Sequence, residues 1–132
     1  MDANSHSLNW FEIPVSDLAR AKTFYETIFD ITLGEYDLQG TQMATFPSGE
    51  GKFVNGALAK GPFHKPGDGG AVVYLNANPS IDAVVGRIAE AGGRVLLPTT
   101  SIGPIGFMAL FADIEGNVVG LHGNALSLCK YD

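Results

Sequence analysis

The chain has 132 residues, of which 45% are hydrophobic and 17% charged, and its net charge is -6. This length and apolar fraction are typical of one globular domain and exclude an intrinsically disordered chain. The acidic balance argues against a nucleic-acid partner, because phosphate backbones are bound by clustered Lys and Arg.

Three further features bear on location. The first residues lack the basic and apolar regions of a signal peptide, and no stretch approaches the roughly 20 apolar residues of a membrane helix. The single cysteine, Cys129, excludes an internal disulfide. We therefore expect a cytoplasmic protein with no membrane partner.

The first predicted element is a strand over Leu8–Val15, because residues on its two faces alternate in character. Trp10 and Glu12 project from one face, and apolar side chains project from the other. Pro14 has no backbone N–H to donate, so this strand lies at a sheet edge or ends there. The strand is predicted to have one packed face and one open face.

A helix and three short strands follow. Ser16-Asp17 supplies a capping side chain, and apolar residues recur at helical spacing from Leu18 to Phe29. Turn-forming residues then separate the three strands, which we place at Leu33–Leu38, Gln42–Phe46 and Lys52–Leu58. A segment rich in Gly and Pro, Gly61–Gly70, indicates a linker.

The same order of elements restarts about 62 residues later. Ala71–Ala77 predicts a strand, Asn78-Pro79 a helix N-cap with proline at the first helical position, and Gly92-Gly93 the end of that helix. The last three strands are placed at Arg94–Leu97, Phe107–Ala112 and Val118–His122, with a loop at Pro98–Gly106.

These elements predict an α+β fold in a single domain, built from two tandem βαβββ modules. The first module covers about residues 7–60, a linker about 61–69, and the second module about 70–124. One helix covers one face of each curved sheet, and the other face must meet a sister module or a ligand. We therefore expect an open cup and a homodimer, with pairing within or between chains left open.

Several motifs in this order resemble the vicinal oxygen chelate superfamily, which includes glyoxalases, bleomycin-resistance proteins and extradiol dioxygenases. The matching segments are Phe11–Asp17, Phe24-Tyr25, Val73–Leu75, Ala91–Val95, Ala109–Asp113 and Gly116–Leu121. No segment is specific alone, but together they run in order from about Leu8 to Gly123. Ile114 departs from the family, which often has proline in that turn.

The resemblance implies a divalent metal, held by two His and two Glu, that chelates two adjacent substrate oxygens as a Lewis acid. Carried over by position, the four ligands fall on Trp10, on Gly70 or Val72, within Gly56–Leu58, and on Gly120. None of these side chains is a ligand for a divalent ion. The sequence therefore predicts a member without the family's metal site and without a cofactor.

An aromatic cup remains once the metal ligands are lost. Strand alternation places six side chains on its concave face: Trp10, Glu12, Tyr74, Asn76, Met108 and His122. Trp10, Tyr74 and Met108 suit a flat or apolar ligand, and Asn55 and Asn76 are candidates for orienting its carbonyls. Core packing for Trp10, and edge or turn roles for the two Asn, stay equally open.

Glu12 and His122 are the candidate polar pair of the cup. A carboxylate among apolar strand residues costs free energy unless it is paired or hydrated. A structural bond from Glu12 to the backbone or to His122 is one interpretation; a general acid–base couple or two ligands of a relocated metal are the others. His64 in the linker and His6 in the N-terminal tail are expected to be solvated.

Three functions remain open. The favoured one is a protein that binds a small, partly apolar molecule in a metal-free cup. The second is a lyase or other enzyme that uses Glu12 and His122, and the third is an interaction module whose cup is closed. The sequence identifies neither the ligand nor a reaction.

Overall fold

The computed structural model of the protein describes residues 1–49 and 51–124, so Cys129 lies outside the described residues. In the first module the elements are β1 (Trp10–Pro14), α1 (Leu18–Phe29), β2 (Gly34–Leu38), β3 (Thr41–Thr45) and β4 (Asn55–Lys60). In the second they are β5 (Tyr74–Asn76), α2 (Ile81–Ala91), β6 (Arg94–Ser101), a 3-10 turn (Gly103–Ile105), β7 (Phe107–Ala112) and β8 (Val118–Gly123). No helix in the described segments has the length and apolar character needed to cross a lipid bilayer.

Each module forms one open, four-stranded mixed sheet. The strand orders are β1-β4-β3-β2 and β5-β8-β7-β6, with the first and fourth strands of each module parallel and the other pairs antiparallel. The predicted α+β fold of two βαβββ modules is confirmed. β1 is an edge strand and also ends at Pro14, as the missing N–H of that proline predicts.

One continuous core lies between the helices and the two sheets. Its largest fully buried side chains include Tyr25 and Phe24 of α1 and Phe111 of β7. The rings of Phe24 and Phe111 lie 6.1 Å apart, which joins the helix of one module to the sheet of the other. Arg87 of α2 also donates to the carbonyl of Ile28 at 2.8 Å. The two modules therefore share their hydrophobic core.

The predicted cap of the first helix is confirmed, and that of the second is wrong. Asp17 accepts from the backbone N–H of Arg20 at 3.0 Å. In α2 the N-cap is Ser80, which accepts from the N–H of Ala83, and the preceding Asn78-Pro79 peptide is cis. The Asn78 side chain instead exchanges two hydrogen bonds with Asn124, so it ties the end of β5 to the end of β8.

Strands β4, β5 and β6 differ most from their predicted bounds, whereas the other strands differ by at most two residues at either end. β4 covers Asn55–Lys60 rather than Lys52–Leu58, and β5 is confined to Tyr74–Asn76. β6 runs on through Pro98 to Ser101, where a loop is predicted. β6 is an edge strand, where proline is tolerated, and one of its shifts in register, between Leu97 and Thr100, falls at Pro98.

The turn between β7 and β8 joins the second module to the first through Asp113. This carboxylate is 5% exposed and accepts four hydrogen bonds. Oδ2 receives the Tyr25 hydroxyl at 2.8 Å and Asn117 Nδ2 at 3.0 Å, and Oδ1 receives the N–H groups of Glu115 and Asn117, both at 2.9 Å. Burial, and then the Asp113 charge, raises the pKa of Tyr25, so its hydroxyl remains a donor.

Glu115, in the same turn, binds the N-terminus of α1. Its side chain is 1% exposed and accepts from the Ser16 N–H at 2.6 Å, from Ser16 Oγ at 2.7 Å, from the Asp17 N–H at 3.1 Å and from Arg20 at 2.7 Å. Burial opposes ionisation, but these bonds outweigh it and lower the pKa of Glu115 to about 2. The carboxylate thus satisfies the backbone donors of the two residues that immediately precede α1, and it lies at the helix N-terminus, where negative charge is favoured.

Candidate functional site

The sheet faces that point away from the helices carry the six side chains predicted for the cup. In the first sheet, Trp10 and Glu12 alternate with Phe11 and Ile13; Trp10 is 43% exposed and Ile13 only 3%. In the second sheet, Asn76 lies beside His122, and His122 lies beside Met108. The register therefore divides the six residues between two sheets.

Glu12 is bonded to Trp10 and to His64. One carboxylate oxygen lies 2.6 Å from His64 Nε2, and the other accepts from Trp10 Nε1 at 3.0 Å. The bond to His64 lowers the pKa of Glu12, burial partly opposes this, and the Trp10 bond adds to the lowering. The expectation of a solvated His64 is wrong, since its side chain is 14% exposed.

His122 lies at a different place and has a different partner. Its Nε2 is 2.7 Å from the carbonyl oxygen of Ile105, in the 3-10 turn before β7. The structure therefore does not join Glu12 to His122 by a hydrogen bond. The linker supplies the histidine for Glu12, and no periodicity in the linker sequence signals a contact over 52 residues.

Side chains from both modules line a cleft of about 520 Å³, which we call the intermodule cleft. Its lining residues are Leu8, Phe11, Phe29, Ile31, Phe46, Pro47, Phe53, Val54, Asn55, Val73, Tyr74, Leu75, Asn76 and Asn78. None of these described residues is charged. The rings of Phe11 and Phe46 are 5.7 Å apart and form an aromatic wall.

Three of the five predicted ligand-binding residues line the intermodule cleft: Asn55, Tyr74 and Asn76. Trp10 and Met108 are not among its lining residues, although Trp10 pairs with Asn55 in the β1–β4 ladder and so lies at the margin. The cleft is therefore bounded by strand ends of the two modules, and it is not centred on the concave face predicted for the cup.

The side chains at the cleft mouth include some that sequence reasoning missed. Phe53 is 78% exposed and Val54 is 36% exposed. The only feature in the sequence that could have indicated a ligand-binding role for them is an apolar pair next to a turn rich in Gly. Single exposed apolar residues are common on protein surfaces, so this feature does not predict a binding site. The proximity of these residues to Tyr74 depends on how the two modules pack, which strand periodicity does not specify.

Comparison with known proteins identifies the family. The sequence model of the Glyoxalase/Bleomycin resistance protein/Dioxygenase superfamily matches residues 7–121. The chain belongs to this superfamily. The resemblance found in its sequence motifs is thereby confirmed.

Two curated relatives have about the same sequence identity to this superfamily member. A Mycobacterium tuberculosis protein, CFP32, which carries the name of a glyoxylase, is 31% identical over 119 residues, covering 86% of this chain and 44% of its own. The anthracycline biosynthesis protein DnrV of Streptomyces peucetius is 32% identical over 120 residues, covering 81% of this chain and 43% of its own. The chain thus spans less than half the length of these relatives.

Solved structures show the same fold. TnmS3, an antibiotic binding protein from a Streptomyces species, superposes with a TM-score of 0.62 at 28% identity, over 95% of this chain and all of its own. A glyoxalase I mutant from Zea mays superposes with a TM-score of 0.68 at 22% identity, over 93% of this chain and 48% of its own.

The residues of this superfamily member do not fit the metal that the resemblance implies. The expected ligand positions hold Trp10, Val72 or Gly70, Gly56–Leu58 and Gly120, none of which offers a suitable donor atom. A Cβ atom at Gly120 would overlap the ring of Tyr74, which lies over that position. Across residues 1–49 and 51–124, no three His, Cys, Asp or Glu side chains cluster as a metal site would require.

Elemental analysis of the purified protein tests this misfit. We expect only substoichiometric zinc, nickel and iron, because the expected ligand positions lack donors. The control is a sample incubated with each metal and then desalted. Retention of one metal per chain, reversed by a chelator, would contradict the prediction.

Proposed function

We propose that the protein binds a small, flat, partly apolar molecule in the intermodule cleft. The observation that carries this proposal is the cleft itself. Its volume of about 520 Å³ lies within the range of ligand pockets, and an apolar lining with a few polar groups is typical of such pockets. The lining of Phe11, Phe46 and Phe53 favours aromatic ligands, because aromatic rings prefer offset or edge contacts with one another.

The relatives support the same class of ligand. One structural relative is named as an antibiotic binding protein, and one curated relative is named for anthracycline biosynthesis. Both names concern small organic molecules. We infer from them a ligand of that kind.

An enzymatic function is the second candidate, and the contact between Glu12 and His64 favours it. A carboxylate 2.6 Å from an imidazole is the geometry of a general acid–base couple. Glu12 and Lys65 also line a smaller cleft of about 230 Å³. Glu12→Gln and His64→Ala should then each abolish any turnover that is detected, whereas His122→Ala should leave it intact.

The homodimer and the cytoplasmic location stay predictions. Trp10, Tyr36 and Leu38 lie on the open face of the first sheet and are 43 to 57% exposed. A second copy is the partner that we expect to cover them. Sedimentation of the purified chain measures this association directly.

Substitution of Phe53 tests the proposed binding function. Phe53→Ala should weaken binding of 2-methylanthraquinone about 5- to 30-fold, because it removes about 1 to 2 kcal/mol of aromatic and apolar contact. Quenching of Trp10, the single tryptophan of the chain, provides the measurement, since this residue lies beside Asn55.

Phe63→Ala is the matched control. Phe63 is 93% exposed and does not line the intermodule cleft, so its removal should leave the affinity unchanged. Equal losses in the two variants would place the binding elsewhere. If no neutral, flat aromatic compound binds the wild-type protein, the proposed function is excluded.

A further inference from the structure

Two amide side chains of the intermodule cleft are each bonded at one end only. Asn55 Nδ2 donates to the carbonyl of Phe46 at 2.8 Å, and Asn76 Oδ1 accepts from the N–H of Asn78 at 2.9 Å. Because both partners are backbone groups of fixed polarity, they determine which end of each amide is oxygen and which is nitrogen. The oxygen of Asn55 and the amino group of Asn76 thus have no hydrogen-bond partner in the described chain.

The other polar side chains of the cleft select less strongly between hydrogen-bond donors and acceptors on a ligand. Both ends of the Asn78 amide are bonded to Asn124. The Tyr74 hydroxyl is able to donate or accept, so it matches either kind of ligand group. Asn55 therefore presents an acceptor and Asn76 a donor, each at the end of the amide that points away from its backbone partner.

A ligand in the cleft displaces the water around these two amides. An amide group left unmatched in an apolar site costs more free energy than a matched hydrogen bond contributes. Polar complementarity therefore separates ligands of equal shape. A charged ligand is disfavoured as well, because no described lining residue carries a compensating charge.

We propose that the ligand is an uncharged planar molecule with a carbonyl or similar acceptor for Asn76 and a hydroxyl or N–H donor for Asn55. The two amides are then the residues that set ligand specificity. This inference rests on the proposed binding function of the same cleft. The proposed function specifies the size and shape of the ligand, and this inference specifies its hydrogen-bonding groups as well.

A set of four related probes tests the inference by quenching of Trp10 fluorescence. 2-(Hydroxymethyl)anthraquinone carries both groups, 2-methylanthraquinone lacks the donor, 2-(hydroxymethyl)anthracene lacks the acceptor, and anthraquinone-2-carboxylate is charged. We expect the first probe to bind about 3- to 10-fold more tightly than either neutral analogue, as one hydrogen bond predicts. The carboxylate should bind most weakly.

Two variants assign the preferences to residues. Asn76→Asp keeps an oxygen that accepts from the Asn78 N–H but loses the donor. The hydroxymethyl quinone should then no longer bind more tightly than the hydroxymethyl anthracene. Asn55→Ala should abolish its advantage over 2-methylanthraquinone. Asn4→Ala, in the exposed N-terminal tail, is the control and should preserve both ratios. Ratios within one variant are insensitive to a general loss of stability.

The outcomes separate this inference from the function on which it rests. If the three neutral probes bind equally and both amide variants keep the wild-type ratios, the assigned polarity is wrong and binding of flat molecules stands. If the carboxylate binds most tightly, the requirement for an uncharged ligand is wrong. If no probe binds, the proposed function fails and this inference fails with it.

Discussion

Asp113→Asn should lower the free energy of unfolding by about 3 to 5 kcal/mol, because it disrupts a buried hydrogen-bond network. Each oxygen of the Asp113 carboxylate accepts two hydrogen bonds, and the side chain is 5% exposed. An amide has only one oxygen, so two donors lose their acceptor and meet an N–H group instead. For a chain of this size we expect the melting temperature to fall by roughly 10 to 20 °C.

Urea unfolding followed by circular dichroism gives the measurement. Asp37→Asn is the matched control, since Asp37 lies on the exposed strand β2 and should tolerate the same change. Tyr25→Phe removes one of the four donors and should cause a smaller loss than Asp113→Asn. A loss for Asp113→Asn that is no larger than that of the control would show that the network does not join the modules.

The order of elements could be predicted from the sequence because it depends on local patterns. Apolar residues at helical spacing fixed α1, and the capping role of Asp17 depends only on neighbours in the first turn. Pro14 likewise reports a local property, the missing N–H, and therefore marked an edge strand correctly. The face on which Trp10 and Glu12 lie follows from alternation alone.

The partners of the polar side chains could not be predicted, because they come from distant parts of the chain. Glu12 is bonded to His64, which lies 52 residues away in a segment without periodicity. Asn78 looks like a helix cap from its neighbours, yet its partner is Asn124, 46 residues away. The sequence predicts a loop from Pro98 onwards, but Pro98 lies within an edge strand, and its edge position depends on a sheet order that local patterns do not specify.

The intermodule cleft was also only partly predictable, because distant parts of the chain form it. The sequence predicts Tyr74 and Asn76 as ligand-binding residues from strand alternation and Asn55 as a side chain that orients ligand carbonyls, and all three line it. Its aromatic wall, however, depends on Phe11 and Phe46, which alternation assigns to the packed face or leaves unassigned. A cavity at the boundary of two modules is formed by their relative placement, so a strand-by-strand prediction identifies only some of its walls.

Glu115→Gln should destabilise the protein by about 3 kcal/mol at neutral pH, because the native state holds the pKa of this carboxyl at about 2 instead of 4.5. A lowered native pKa means that the unfolded chain binds more protons at intermediate pH. This contribution is therefore complete above about pH 4.5 and is lost as the pH falls through 2. Glutamine has no such titration, so the variant should lack this part of the acid sensitivity.

Unfolding by urea at pH 7 and at pH 2.5 distinguishes the charge effect from simple loss of packing. The difference in stability between wild type and Glu115→Gln should be large at pH 7 and should shrink at pH 2.5, where protonation removes much of the wild-type advantage. Glu35→Gln is the control: Glu35 pairs with Lys22 but is 72% exposed, so solvent screens the pair and the loss should be small at both values. A difference for Glu115→Gln that stays constant between the two pH values would mean that its carboxylate charge does not bind the N-terminus of α1.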